Sequence, residues 1–238
     1  MPHTLFISDL HLAAERPDTH RQFFDFIEKT APAAEALYVL GDLFEYWAGD
    51  DDFDDPLNAA VADALSGLAS KSVRVYFMHG NRDLLLGAAY AARCSMQIIP
   101  DPTVIDLYGT RTLLMHGDTL CTGDIEYQKF RAYARNPATQ KQFLAQPLAV
   151  RHQQLRGMRA QSEASKSFKS MDIMDVTPDA VEQTLREQGY ARMIHGHTHR
   201  PARHEILIDG HACERWVLSD WNSEARFLHC DEIGRAHV

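Results

Sequence analysis

Long apolar runs, paired cysteines and stretches of biased composition are all scarce in these 238 residues. No uninterrupted apolar segment approaches the roughly 18 to 20 residues of a membrane-spanning helix. The opening "MPHTLFISDLHL" has neither the basic start nor the long apolar centre of a secretory signal, so the expectation is a chain that stays in the cytoplasm. The four cysteines, Cys94, Cys121, Cys213 and Cys230, contain no C-x-x-C pair; they signal neither a disulfide framework nor a thiolate zinc cage and read as buried or idle thiols. Repeats, low-complexity tracts and Gly/Ser linkers are missing too, so one domain, with or without a sizeable insertion, accounts for the whole length.

Positive charge is also in short supply: 24 Lys and Arg face 33 Asp and Glu, a net charge of -9 that argues against a nucleic-acid partner. What there is clusters. Residues 124–171 hold nine Lys and Arg against three acids, a local charge of +6 that leaves -15 on the remainder. Such a segment is either a solvated helix face or a patch for anionic ligands.

The runs "TLFIS" (4–8), "ALYVL" (36–40), "VRVYFM" (73–78), "TLLMH" (112–116) and "RMIH" (192–195) predict buried strands. Helical periodicity separates the first three, in "RQFFDFIEK", in "PLNAAVADALSGLA" opening at Pro56, and in "LLLGAAYAAR". Strand alternating with helix predicts an α/β fold with a largely parallel sheet. Residues 124–171 read as a helical insertion broken at Pro137 and Pro147, followed by a helix with Thr177 as N-cap, Pro178 at N1 and Gly189 as its stop. After 200, "EILID", "RWVLSD" and "ARFLHC" predict antiparallel strands joined by turns at Asp209-Gly210 and Trp221-Asn222, making a second sheet or an edge extension.

Each predicted strand runs into potential metal ligands: "SDLHL" with Asp9 and His11, "GDLFEYW" with Asp42, "HGNRD" with Asn81, Arg82 and Asp83, "MHGD" with His116 and Asp118, and "HGHTHRP" with His195, His197 and His199. On extended backbone, residues two apart point the same way, so Asp9 with His11 and His197 with His199 can each converge. Any one cluster has an ordinary explanation as a helix cap, a turn or a polar strand. Five in order, at the strand ends where open α/β sheets bind ligands, point to a metal centre. Carboxylates, imidazoles and an amide without thiolate suit Mn²⁺, Fe²⁺ or Zn²⁺. Seven donors (Asp9, His11, Asp42, Asn81, His116, His197 and His199) exceed one tetrahedral ion but serve two if a carboxylate bridges, the arrangement that activates water for in-line displacement at phosphorus.

The order D-x-H, G-D, G-N, H-G-D, G-H-T-H resembles the calcineurin-like metallophosphoesterases. The longer stretches "GDLFEYWAGDDD", "HGNRDLLLG", "LYGTRTLLMHGDTLCTGD", "KSMDIMDV" and "IHGHTHRP" are similar, over nearly the whole chain, to the members that cleave UDP-2,3-diacylglucosamine in lipid A synthesis. The resemblance implies a four-layer α/β/β/α sandwich (one domain, 1–238) with 124–171 as a basic lid, and two Mn²⁺ ions. Asp9, His11 and His199 would hold one ion, Asn81, His116 and His197 the other, with Asp42 between them. It implies water attack on the phosphorus next to uridine, giving UMP and 2,3-diacylglucosamine 1-phosphate, with Asp42, Asn81, Arg82 and His116 in the catalytic group. Asn81, Arg82, Asp124, Tyr127, Ser162, Lys166, Lys169 and His197 would meet the UDP-linked diacylated lipid. Peripheral attachment to the cytoplasmic face of the inner membrane is implied, with no nucleic acid and no protein partner required.

Arg82 stands where many superfamily members have a histidine able to protonate an alkoxide. A phosphate monoester leaving group, with a second pKa of about 6, needs little protonation. A guanidinium meets the charge of a diphosphate instead; the alternative is a surface Arg paired with Asp83. Lys166 replaces a frequent Asn and Gly123 a frequent Asp. The rivals are another metallophosphoesterase and a non-catalytic scaffold of the same fold, the latter disfavoured because all seven donors are present. His195, assigned to neither ion, is expected to be a supporting histidine.

Overall fold

The computed structural model describes residues 2–166, 173, 175–222, 224–231 and 236–237. The first half alternates as the periodicity predicts: β1 (His3–Ile7), α1 (Pro17–Lys29), β2 (Ala36–Val39), α2 (Pro56–Ala69), β3 (Arg74–Met78), α3 (Ala88–Arg93) and β4 (Met96–Ile99). Local chemistry fixes the starts. Pro17 and Pro56 sit in the first turns of α1 and α2, and the Asp55 carboxylate accepts the backbone N–H groups of Leu57 and Asn58. Only 88–93 of "LLLGAAYAAR" is helical, because Gly87 leaves the helix to cap it with an extended backbone, while the N–H groups of Gly87, Ala89 and Tyr90 are taken by the Asp50 carboxylate.

Strands β5 (Thr103–Leu107) and β6 (Thr110–Met115) form a hairpin, and α4 (Ile125–Ala134), α5 (Pro137–Leu144), α6 (Leu148–Lys166) and α7 (Pro178–Glu187) follow. Next come β7 (Arg192–His195), β8 (Ala202–Ile208), β9 (His211–Val217), β10 (Leu228–Asp231) and β11 (Ala236–His237). Helices α4 to α6 match the predicted insertion and its proline breaks. Thr177 precedes α7 as expected, although its hydroxyl does not cap the helix, and Gly189 stops it with φ +72°.

Two sheets result, of order β11-β10-β1-β2-β3-β4 and β5-β6-β7-β9-β8. The alternation of side chains sorts them into four layers. Leu5 and Ile7 of β1 pack with Phe23, Phe26 and Val61 of α1 and α2; Phe6 turns inward against Leu114, Ile194 and Trp216 of the second sheet; Leu113 and Met193 pack outward on Val181 and Leu185 of α7. This is the expected α/β/β/α sandwich.

The C-terminal third corrects one expectation. Asp209 and Gly210, both at positive φ, do turn β8 into β9, but Trp221-Asn222 joins no hairpin: β10 pairs antiparallel with β1 in the other sheet. Periodicity marks a strand without naming its neighbour, and the fully buried Trp221 ring packs on Phe26 of α1, carrying the chain between layers.

Candidate metal centre

The parallel strands β1, β2 and β3 of one sheet and β6 and β7 of the other all end at the same edge of the sandwich, and the predicted ligands follow them. Backbone bonds lace these loops together: Asp9 N–H donates to Gly41 O at 3.1 Å, His11 N–H to Asp42 O at 2.9 Å and Gly196 N–H to His116 O at 2.9 Å. The buried Asp83 carboxylate ties the second loop to the third by accepting the N–H groups of Leu43 at 2.8 Å and Gly80 at 2.9 Å. Burial and the neighbouring Asp42 push its pKa up to about 7.

Asp9 and His11 converge as D-x-H suggests, whereas His199 joins them and His197 turns to His116, and none of the four sits on extended backbone. Asp9, His11, Asp42, His197 and His199 have φ of 57°, 50°, 54°, 69° and 55°, all in the left-handed region. Such residues cost on the order of 1 kcal/mol each and persist where the surroundings over-determine them. Close approach demands two glycines: a Cβ on Gly80 would collide with the Asp42 carboxylate, and one on Gly196 with Ser8 and Asp9.

Donor atoms of Asp9, His11 and His199 lie within 4.8 Å of one another, as do those of Asp9, Asp42 and His116. Asp42 faces both ways, with Oδ2 3.9 Å from His11 Nε2 and Oδ1 3.8 Å from His116 Nε2. On the second side Asn81 Oδ1 is 3.2 Å from His116 Nε2, and the His116 and His197 rings are 5.0 Å apart. His116 Nδ1–H donates to Leu40 O at 2.9 Å, which turns the Nε2 lone pair inward. Asp220 lies 3.4 Å from His199 Nδ1 and does the same for Nε2 of that ring.

The charge balance suits cations. Burial disfavours the imidazolium of His116, yet Asp42, Asp118 and Asp9 outweigh it and lift the pKa to about 9. His199 rises to about 10 against its burial, through Asp220 and Asp9. Burial and the neighbouring His116 hold His197 down to about 3. Asp9 Oδ1 is buried and accepts no hydrogen bond. A carboxylate oxygen in that position, among imidazole nitrogens and a second carboxylate, fits a divalent ion of the oxygen- and nitrogen-preferring kind.

His195 stays apart. Its fully buried ring donates from Nδ1 to Gly196 O at 2.9 Å and accepts the Arg215 guanidinium on Nε2 at 3.1 Å, and burial holds it neutral with a pKa of about 4.

Arg82 does not pair with Asp83, whose oxygens are taken by backbone; its NH1 lies 3.6 Å from Glu45, and its Nε is buried without a partner. Tyr127 stands 5.6 Å from the His197 ring and donates to Asp118 Oδ2 at 2.9 Å. Asp124 caps α4 by accepting Tyr127 N–H at 3.1 Å. Ser162 lies on α6, whereas the Lys166 side chain, Lys169 and most of "KSMDIMDV" fall outside the described residues.

Three carboxylates were not singled out from the sequence, Asp220, Asp50 and Glu45, and a fourth, Asp118, named beside His116 as a potential ligand, serves as an ion-pair partner instead. Asp118 binds Arg131 Nε at 2.8 Å, Asp220 supports His199, Asp50 caps α3, and Glu45 lies 3.3 Å from His11 and 2.8 Å from Arg159. For Glu45 the available signal was position, three residues after the predicted ligand Asp42.

The family model of the calcineurin-like phosphoesterases matches residues 2–201. A protein of Aromatoleum aromaticum named UDP-2,3-diacylglucosamine hydrolase is 55% identical over 230 residues, 97% of this chain and 94% of that one. Proteins of the same name from Cellvibrio japonicus and Pseudomonas aeruginosa are 52% and 48% identical, over 98% and 97% of this chain and 97% and 95% of theirs.

Proposed function

The chain belongs to the calcineurin-like phosphoesterase family, and from that premise we propose that it hydrolyses the pyrophosphate bond of UDP-2,3-diacylglucosamine, releasing UMP and 2,3-diacylglucosamine 1-phosphate. The observation that carries this reading is the gathering, at one sandwich edge, of the donor atoms of Asp9, His11, Asp42, His116 and His199, with Asn81 and His197 beside His116 and the Arg82 guanidinium where a proton donor to an alkoxide would otherwise stand. Identity of about one half, end to end, with hydrolases named for this substrate supports it.

Asp9, His11 and His199 form the first set of donors, Asn81, His116 and His197 the second, and Asp42 reaches both. Two Mn²⁺ ions, when bound, would supply an activated water and offset charge on the phosphate oxygens. Arg82 brings a fork of donors to the diphosphate, stabilising charge that grows on the leaving phosphate; Asn81 and His197 border the same oxygens. Tyr127, its proton held towards Asp118 and its pKa pushed well above the phenol range by burial and that carboxylate, offers a neutral edge to the uridine side. Asp124, Ser162, Lys166 and Lys169 complete the assigned substrate contacts.

Helices α4 to α6 act as the lid. Phe130, Tyr133, Leu144 and Val150 are exposed on it among the basic residues, a composition suited to acyl chains and to an anionic lipid surface. Among the described residues no helix is long and apolar enough to cross a membrane, and peripheral attachment is the corresponding proposal.

Incubating the Mn²⁺-loaded protein with UDP-2,3-diacylglucosamine and, separately, with a simple aryl phosphodiester tests the reading. UMP release from the lipid at a kcat/KM well above that for the diester is expected. Turnover of the diester alone contradicts it.

A further inference from the structure

Glu45 follows Asp42 by three residues, and its carboxylate is 9% exposed between the His11 ring and helix α6. Oε2 lies 3.3 Å from Nδ1 of His11, the ring nitrogen turned away from the metal donors. Oε1 lies 2.8 Å from Arg159 Nε, on α6, and 3.6 Å from Arg82 NH1, on the loop after β3. The loop after β1, the loop after β3 and the helical insertion therefore share one carboxylate.

A carboxylate on the far nitrogen of a metal-ligating imidazole fixes its tautomer and ring angle, and losing such a partner weakens metal binding by roughly 10- to 100-fold. A guanidinium held by a carboxylate is aimed before the ligand arrives, which lowers the ordering cost of binding.

We propose that Glu45 is a positioning residue that couples the insertion to the metal centre, fixing His11 with one oxygen while the other holds Arg159 and Arg82 over the same opening for the phosphates of the substrate. This rests on the two-metal diphosphate reading above, yet it makes a claim about ion and phosphate binding that does not depend on which lipid is cleaved. Asp42 and Asn81 touch the reacting groups; Glu45 acts through His11, Arg82 and Arg159.

The test uses the full-length protein with Glu45→Gln, Arg159→Gln and the double variant, and two probes. Mn²⁺ alone is titrated first: Glu45→Gln should lose on the order of 10-fold in affinity, whereas Arg159→Gln should match the parent within twofold. Inorganic pyrophosphate is then titrated into the Mn²⁺-loaded proteins at saturating metal. Arg159→Gln should cost about 10-fold in the parent but less than threefold when Glu45 is already Gln, the non-additivity expected of residues in contact. Unchanged Mn²⁺ affinity in Glu45→Gln overturns the proposal, as does an Arg159 effect of equal size in both backgrounds. Circular dichroism checks folding, and if Glu45→Gln does not fold, Glu45→Asp, too short to reach both partners, is held to the same outcomes. Failure of the lipid assay with these two results intact would discard the substrate and keep the coupling.

Discussion

Five of the proposed ligands lie in the left-handed region, so the loops, not the strands, aim these side chains, and the backbone there is strained. Asp42 shows the electrostatic side of this. It raises the pKa of its neighbour Asp83 but favours the His116 imidazolium and accepts Arg82 N–H, so these effects oppose one another and Asp42→Ala should change the metal-free melting temperature little. The stabilisation from saturating Mn²⁺, about 4 kcal/mol at a thousandfold excess over Kd in the parent, should largely vanish, and activity should fall at least about 10³-fold. A variant that melts and turns over like the parent refutes the role of Asp42 between the two donor sets. His195 should behave oppositely. His195→Phe removes the acceptor of the Arg215 guanidinium and should cost about 1–3 kcal/mol in denaturant unfolding, while metal analysis still finds the parental Mn²⁺ content; a lost ion would make His195 a ligand. The order and spacing of the donors made this cluster legible in the sequence, because each sits within a few residues of a strand end. The reason for their convergence was not legible: the pattern suggested extended backbone, and positive φ at Asp and His leaves no mark in residue type comparable to glycine. Glu45 and Asp220 were hidden for a related reason, since an acid that supports a ligand looks like any other acid until the loops are folded together.

Among the described residues, side chains near its N-terminal end hold helix α6 to the body. Arg151, 1% exposed, donates to Ala48 O and to the Asp51 carboxylate, and His152 lies 3.0 Å from Asp52. Eight residues on, about 12 Å along the axis, the same helix presents Arg159 to Glu45. Arg151→Met should therefore speed amide exchange over residues 148–158, raise KM more than it lowers kcat, and reduce global stability by only about 1–3 kcal/mol. Exchange confined to parental rates would mean that α6 is held by other contacts. At the N-terminal side of the insertion, Arg131 binds Asp118 at 2.8 Å and Arg135 donates to the carbonyls of His79 and Gly80 at 3.3 and 3.2 Å, so α4 is fastened to the ligand loops themselves. Prolines and caps made the helices readable from sequence. The shortening of "LLLGAAYAAR" was not, because Asp50, nearly 40 residues earlier, supplies the cap. β10 illustrates the same limit, since its apolar alternation was visible while its pairing with β1 depended on Trp221 crossing to α1.

The sandwich brings parallel strands of both sheets to one edge, and an acidic body of charge -15 carries a +6 segment beside it. The proposed attraction to anionic lipid would then belong to that segment and oppose the net charge. Co-sedimentation with vesicles containing anionic lipid should be measurable at low salt, fall steeply towards 0.5 M salt, where screening lengths are only about 4 Å, and be absent with neutral vesicles. Equal binding to neutral vesicles would assign the attachment to the exposed apolar residues instead. The most direct test of the central claim is hydrolysis of UDP-2,3-diacylglucosamine by the Mn²⁺-loaded protein in ¹⁸O-water, with both products weighed by mass spectrometry. Attack at the uridine-side phosphorus predicts one ¹⁸O in UMP and none in 2,3-diacylglucosamine 1-phosphate; label in the sugar phosphate, or no cleavage at all, would contradict it.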